Sequence, residues 1–522
     1  MIQVNHQRDG FIDAATGQPF VPVGTNYCNL LSMVNYQGRL CRFGQLFGTD
    51  HQTLADPLAE ATDWMKRLAD LGMNVIRIWT EPCEFFPTGA ALDPRTADRF
   101  EALLDCCAAN GIYASVGMHL SPLASGWRLH NFQPPHQRWL LEQLQTFARR
   151  WGMHEHIFSW TIVGEGQLPW YTRWLGEQWP HWLQFWYNDD LAALKRAWGK
   201  LPGVDFNTFA DAPVPPRNLW ASLGFVDYPP ARLAELPTDP YAGSTWRYDW
   251  RVFLENTGAA RVQQEVQTLR TAGARQMIAV GANCWSFPNL PVGQMTMGYV
   301  PNFFLDSVDY LCQHNYPMPQ CLPGGLGDPL ASDAAMDQWL IANQIMGRLY
   351  TSLRKPVVLE EWGWYGGGSS DFAGVKLVHR TDEEQERYCD LFLQSSRSVF
   401  SGFFHWLHRD MPHDGDLTRF GGMFRADRTL KPWGRKYGQR AAELRANPPR
   451  PAPAKTIIDL PIVSMFTDDR AHENWWLEQI RDYPGHGPCD YRYEFPRKPM
   501  VDYPSDIRGL EIVDYAQDAW AQ

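Results

Sequence analysis

DPLAEATDWMKRLADLGMNVIRIW runs from Asp56 to Trp79, and its reading decides the fold. Asp56 is a good helix N-cap, and Pro57 suits the first helical position, where a missing N–H costs nothing. Trp64, Leu68 and Leu71 recur at helical spacing. Gly72 ends the helix, and Val75-Ile76-Arg77-Ile78-Trp79 follows as a short apolar strand interrupted only by Arg77.

Outward from this stretch the same unit repeats. Asp93-Pro94 opens a helix carrying Phe100, Leu103, Leu104 and Cys107; Asn110-Gly111 closes it, and a strand runs from Ile112 to Met118. A helix at Trp139–Trp151 leads to a strand at Ile157–Val163, Asp249–Ala272 leads to Gln276–Val280, and Ala335–Leu353 leads to Val357–Glu361. Thr381 and Glu384 form a capping-box pattern that starts a helix to Val399, before a strand in Gly402–Leu407. Phe20–Gly24 is expected as the first strand and Val308–Gln313 as the sixth. Near-continuous apolar strands alternating with helices mean a parallel sheet covered on both faces. Eight such units over about 430 residues fit an α/β fold of the (β/α)8 TIM-barrel type. A doubly wound open sheet would usually carry a phosphate-binding GxGxxG after an early strand, and the sequence has none there.

Two long insertions follow strands, Asn26–Leu54 after strand 1 and Gly166–Arg247 after strand 4, the second with a helix at Asp189–Trp198. Segments after barrel strands lie at the C-terminal face, so both would wall an active site. The catalytic barrel is expected over residues 1–445. Residues 446–522 are expected as a Pro-rich linker, centred on Asn447–Pro453, and a C-terminal extension packing on the barrel, with one strand-like run at Thr456–Phe466.

Composition narrows the function classes. The chain has 522 residues with 47 Lys and Arg against 58 Asp and Glu, a formal charge of −11 without basic runs. That argues against a nucleic-acid groove or an anionic membrane surface. No apolar run approaches the roughly 18 residues of a membrane span. MIQVNHQRDG lacks the basic-then-apolar pattern of a secretory signal, so a cytoplasmic location is expected. The 10 cysteines include no CxxC and read as reduced core residues. The 24 Trp fit either a large aromatic core or a cleft in which flat sugar faces stack on indoles. The expected partner is a carbohydrate, no metal or organic cofactor is expected, and self-association is left open.

In a barrel, chemistry sits at the C-terminal strand ends. Strand 2 ends Arg77-Ile-Trp79, strand 3 ends at His119, and strand 4 runs to Gly164-Glu165. Strand 6 ends in His314-Asn-Tyr316-Pro; strand 7, in KPVVLEEWGWYGGG (Lys355–Gly368), ends Glu360-Glu361-Trp362-Gly363; strand 8 contains Trp406. Glutamates therefore close strands 4 and 7. Two carboxyl groups across a cleft are what glycoside hydrolysis needs: one protonates the departing oxygen, the other attacks the anomeric carbon or activates water.

GMNVIRIW (Gly72–Trp79), HNYP (His314–Pro317), KPVVLEEWG (Lys355–Gly363) and GFFHWLHRD (Gly402–Asp410) resemble strand ends of glycoside hydrolase family 5. FWYNDDLAALKRAWG (Phe185–Gly199) and DWRVFLENTGAARVQQEV (Asp249–Val266) are more similar to family 42. The resemblance, over about Phe20–Tyr437, is to clan A, the retaining (β/α)8 group. It implies Glu361, the Glu before an aromatic residue and Gly, as nucleophile, and Glu165 as acid/base. It implies that Arg77 supports the nucleophile, that the Tyr316 hydroxyl bonds it beside His314, and that Trp406 lies under the sugar. His119 is a candidate for a sugar hydroxyl. Trp285, Trp362 and Trp364 are lesser candidates, and Asn26 lies just beyond strand 1. One departure stands out: clan A enzymes mostly carry Asn before the acid/base, to contact the sugar 2-hydroxyl, and here that residue is Gly164. Either another residue substitutes or the sugar's 2-position is unusual, an axial hydroxyl as in mannosides being one case. Glu360 is expected to point away from Glu361, since neighbouring strand residues alternate, and to pair with a helix-side cation or a backbone donor.

The readings imply a retaining hydrolase of β-linked glycosides. A transglycosylase would use the same glutamates, and a non-catalytic carbohydrate-binding barrel is the rival that Gly164 favours. A metal-dependent hydrolase finds little support, because His154 and His156 precede strand 4 and so lie at the far end from the mouth.

Overall fold

The computed structural model describes residues 1–28, 34–36, 39–41, 57–80, 82–86, 91–118, 134–162, 171, 173–202, 204–216, 238–282, 299–317, 330–363, 371–372, 375–376, 380–411 and 420–495. Eight parallel strands close into a barrel in chain order. They are β1 (Val23–Asn26), β2 (Val75–Trp79), β3 (Tyr113–Met118), β4 (Ile157–Ile162), β5 (Met277–Ala282), β6 (Tyr310–Asn315), β7 (Val357–Trp362) and β8 (Gly402–His405). The (β/α)8 architecture expected from the repeated unit is the architecture observed.

Helices stand between the strands: α1 (Pro57–Asp70), α2 (Pro94–Ala109), α3 (Pro134–Trp151), α4 (Arg173–Trp186), α5 (Leu191–Trp198), α6 (Thr245–Thr271), α7 (Asp333–Thr351), α8 (Asp382–Ser396) and α9 (Pro432–Ala446). The caps explain why they start where they do. The Asp93 side chain accepts the Thr96 N–H at 2.8 Å. Thr381 and Glu384 form the reciprocal capping box, which satisfies two otherwise orphaned amides. None of the described helices is long and apolar enough to cross a membrane.

Strand 1 departs from expectation. Phe20 belongs to an N-terminal antiparallel sheet (Ile2–Val4, Phe11–Asp13, Pro19–Phe20), and the barrel strand begins only at Val23. That sheet plugs the barrel floor, where the Phe11 ring meets Phe158 at 5.4 Å and Tyr310 at 5.5 Å. The shift carries Asn26 into the strand, level with Arg77. Gly24 permits the tight approach of β1 to β2, since a Cβ there would lie 1.7 Å from the Val75 carbonyl oxygen.

The insertion after β4 carries α4 as well as the foreseen α5. Much of the Trp surplus is spent in packing there: Trp179 and Trp182 stack at 5.4 Å, Trp182 and Trp186 at 4.8 Å, and Trp179 and Trp198 at 6.1 Å. Beyond α9, Thr456–Phe466 is not one strand. Thr456–Leu460 pairs in parallel with Cys489–Tyr493, while Ile462–Thr467 is helical. Pro461 has no N–H for a ladder and stands at the switch. This segment rests on α7, with the Tyr493 hydroxyl donating to the Leu349 carbonyl at 2.9 Å.

Candidate active site

The C-terminal mouth is built from strand ends. β1 supplies Asn26, β2 Arg77, β4 Thr161, β6 His314, and β7 both Glu360 and Glu361, with Tyr316 just past β6 and Trp406 just past β8. Arg77 is wholly buried at the centre. Its Nη1 donates to Asn26 Oδ1 at 2.9 Å and to Glu361 Oε1. Its Nε forms an ion pair with Glu360 Oε1 at 3.1 Å, without the alignment of a hydrogen bond. Its guanidinium carbon lies 3.7 Å from the centre of the Trp79 ring, a cation–π contact.

Glu360 corrects the alternation argument. Gln313 is paired with Leu359, but His314 is paired with Glu361. On the other side Leu359 is paired with Phe403 and Trp362 with His405. β7 thus carries one residue more than either neighbour, a β-bulge, and bulges re-aim side chains. Glu360 and Glu361 both turn into the barrel, while Trp362 faces outward and stacks on Phe392 at 5.3 Å. Glu360 pairs with the barrel's own Arg77 instead of a helix-side cation. It also accepts from Thr161 Oγ1 at 2.7 Å, and His314 Nε2 lies 3.4 Å from its second oxygen.

Glu361 Oε2 accepts the Tyr316 hydroxyl at 2.7 Å and lies 3.5 Å from His314 Nδ1. His314 therefore spans the two carboxylates. The two acids differ in one decisive way: the Glu360 side chain is 0% exposed and that of Glu361 7%. Burial alone would push the Glu360 carboxyl up. The Arg77 charge, with the hydrogen bonds from His314 and Thr161, outweighs it and holds the carboxyl below its ordinary range. Burial likewise pulls on Arg77, but the two carboxylates keep its guanidinium firmly charged.

The Trp406 ring lies edge-on to Trp79 at 6.4 Å and is 6% exposed. The mouth thus gathers Arg77, His314, Tyr316, Glu361 and Trp406, read from separate strand ends. Glu165, Gly164, His119, Trp285 and Trp364 lie outside the described residues; β4 closes at Ile162, three positions before Glu165. His154 and His156 precede β4, at the floor end. Sequence reading missed the inward turn of Glu360 and the part played by Thr161. The second had a signal: Ser159 and Thr161 alternate with Trp160 and Ile162, marking a polar inward face.

Residues 34–161 match the family model Cellulase (glycosyl hydrolase family 5). No curated protein matches the chain. Among solved structures, the β-galactosidase from the psychrophilic Marinomonas ef1 is 14% identical at a TM-score of 0.62, covering 85% of this chain and 68% of that one. A GH42 β-galactosidase from G. stearothermophilus is 14% identical at 0.63, with coverages of 91% and 65%. GH5_18 from Streptomyces cattleya, solved in complex with Manβ1-4GlcNAc, is 14% identical at 0.54, with coverages of 84% and 89%. The chain spans about two thirds of the length of the two galactosidases. At these identities the likeness is one of fold, and with the matched segment it makes this (β/α)8 barrel similar to the clan A glycoside hydrolases of families 5 and 42.

Proposed function

We propose that the protein is a retaining β-glycosidase in which Glu361 is the nucleophile and Glu165 the acid/base. The observation that carries this reading is the state of Glu361. It is held by Arg77 and Tyr316 at the end of β7, and of the two adjacent acids it alone reaches solvent. A carboxylate fixed by a guanidinium and a hydroxyl is oriented for attack along one direction.

The chemistry then runs in two displacements. A Glu361 oxygen attacks the anomeric carbon as the glycosidic bond breaks, and Glu165 gives its proton to the departing oxygen. Glu165 next takes a proton from water, the water oxygen attacks the same carbon, and the bond to Glu361 breaks. Configuration is inverted twice and so retained. Trp406, just past β8 at the mouth, is the candidate apolar platform for the sugar, while the Trp79 ring beside it is occupied by Arg77.

The test is hydrolysis of aryl β-glycosides (gluco, galacto, manno, xylo, fuco, arabino) and of Manβ1-4GlcNAc by wild type, Glu361→Ala and Glu165→Ala, with and without azide. Turnover should fall by about 10⁴-fold or more in Glu361→Ala, with azide giving a glycosyl azide of inverted configuration. Glu165→Ala with azide should give the retained one. Full activity in Glu361→Ala would end the proposal.

A further inference from the structure

Glu360 takes no part in these displacements, yet it is the more tightly held of the two acids. Arg77 faces it from β2, Thr161 from β4, Tyr310, Cys312 and His314 from β6, and Glu361 adjoins it on β7. Two carboxylates thus share one guanidinium. Were Glu360 absent, the whole charge of Arg77 would fall on Glu361. A carboxylate neutralised in that way is a weaker nucleophile and a weaker stabiliser of the positive charge that develops at the anomeric carbon. With Glu360 present, one of the two negative charges facing Arg77 is left uncompensated by it, and the acid that reaches solvent is Glu361.

We propose that Glu360 is a positioning residue that neutralises and aims Arg77, so that Glu361 is oriented yet keeps its nucleophilic charge. The proposal rests on the two-glutamate reading above. The geometry behind it is the bulge that turns both acids inward, and the fixing of Arg77 from three sides by Glu360, Asn26 and the Trp79 ring.

The test is Glu360→Gln, which keeps the shape and an acceptor for Thr161 but removes the charge. Covalent labelling of Glu361 by an activated 2-deoxy-2-fluoro glycoside should slow by about 10- to 100-fold, with KM little changed. The acidic limb of kcat/KM should move to lower pH, because Glu361 loses a neighbouring anion and keeps its cation. A readout independent of turnover is the 13C carboxyl titration of Glu361, assigned by its loss in Glu361→Gln; its midpoint should move the same way. Glu360→Asp, which withdraws the carboxylate from Arg77 without deleting it, should give an intermediate shift, and serves alone if the Gln variant does not fold. An unmoved midpoint overturns the proposal whatever the activity. Loss of thermal stability with limb and midpoint unchanged would make Glu360 a structural partner only, and equally overturns it. A moved midpoint in a protein that neither turns over a glycoside nor takes the label would instead sink the two-glutamate reading and leave the charge coupling standing.

Discussion

The two ends of the barrel interior are made of opposite materials. At the floor, Phe11, Phe158, Tyr310 and Phe404 pack with Val75, Met277 and Val358. At the mouth, Asn26, Arg77, Thr161, His314, Glu360 and Glu361 line the same cylinder, all buried. An apolar side chain gains about 1.5–3 kcal/mol on full burial and needs no particular partner. A buried charge is costly unless paired, and losing one partner costs more than the pair contributes. The floor is therefore where stability is generated, and the mouth is where it is given up to hold one carboxylate in a reactive pose.

Arg77→Met should break that contrast most severely. It strands two buried carboxylates beside each other, so unfolding in urea should show a loss of about 3–5 kcal/mol, with labelling of Glu361 suppressed in whatever remains folded. A loss under 1 kcal/mol would mean the mouth is far wetter than its burial implies.

Phe158→Ala attacks the floor instead. Its ring meets Phe11, Phe20, Tyr310 and Phe404, and the cavity should cost about 3 kcal/mol. Turnover per folded molecule should be unchanged at temperatures well below the melt. A fall in kcat without a fall in stability would show that floor and mouth are not separable.

The smallest expected effect is with pH. Burial holds the rings of His405 and His408 well below the usual histidine range. In the unfolded chain they take up protons near pH 6.5, whereas the folded state resists. Their contribution is complete above that value and is lost as pH falls below it, by about 1.4 kcal/mol per pH unit for each ring. Glu360, depressed by Arg77, adds a further loss only at lower pH, beginning in the ordinary carboxylate range. Melting midpoints at pH 7.5, 6.5 and 5.5 should be flat over the first interval and fall over the second. A flat profile throughout would place both rings in contact with water.

Particular residues show what was legible. The helix start at Pro57, the Gly72 stop and the Val75–Trp79 run each lie where the chain has them, because helix start and stop signals and periodicity are local and need no partner. The first strand was misplaced by three residues, since Phe20 and Val23 are equally apolar and only the floor sheet distinguishes them. Tyr316 was read beside Glu361 from a family likeness, and its hydroxyl lies there.

By itself the sequence determined the repeated helix-and-strand unit, the closed parallel barrel that follows from it, and the strand ends at which acids, an arginine and aromatic residues would meet. Those depend on short-range preferences and on the two periodicities of a chain. Only the tertiary structure decided how Glu360 and Glu361 share the mouth. The bulge that turns both inward is a matter of register between β7 and its neighbours. Register is set by packing across strands distant in sequence, so no reading along one strand could reveal it.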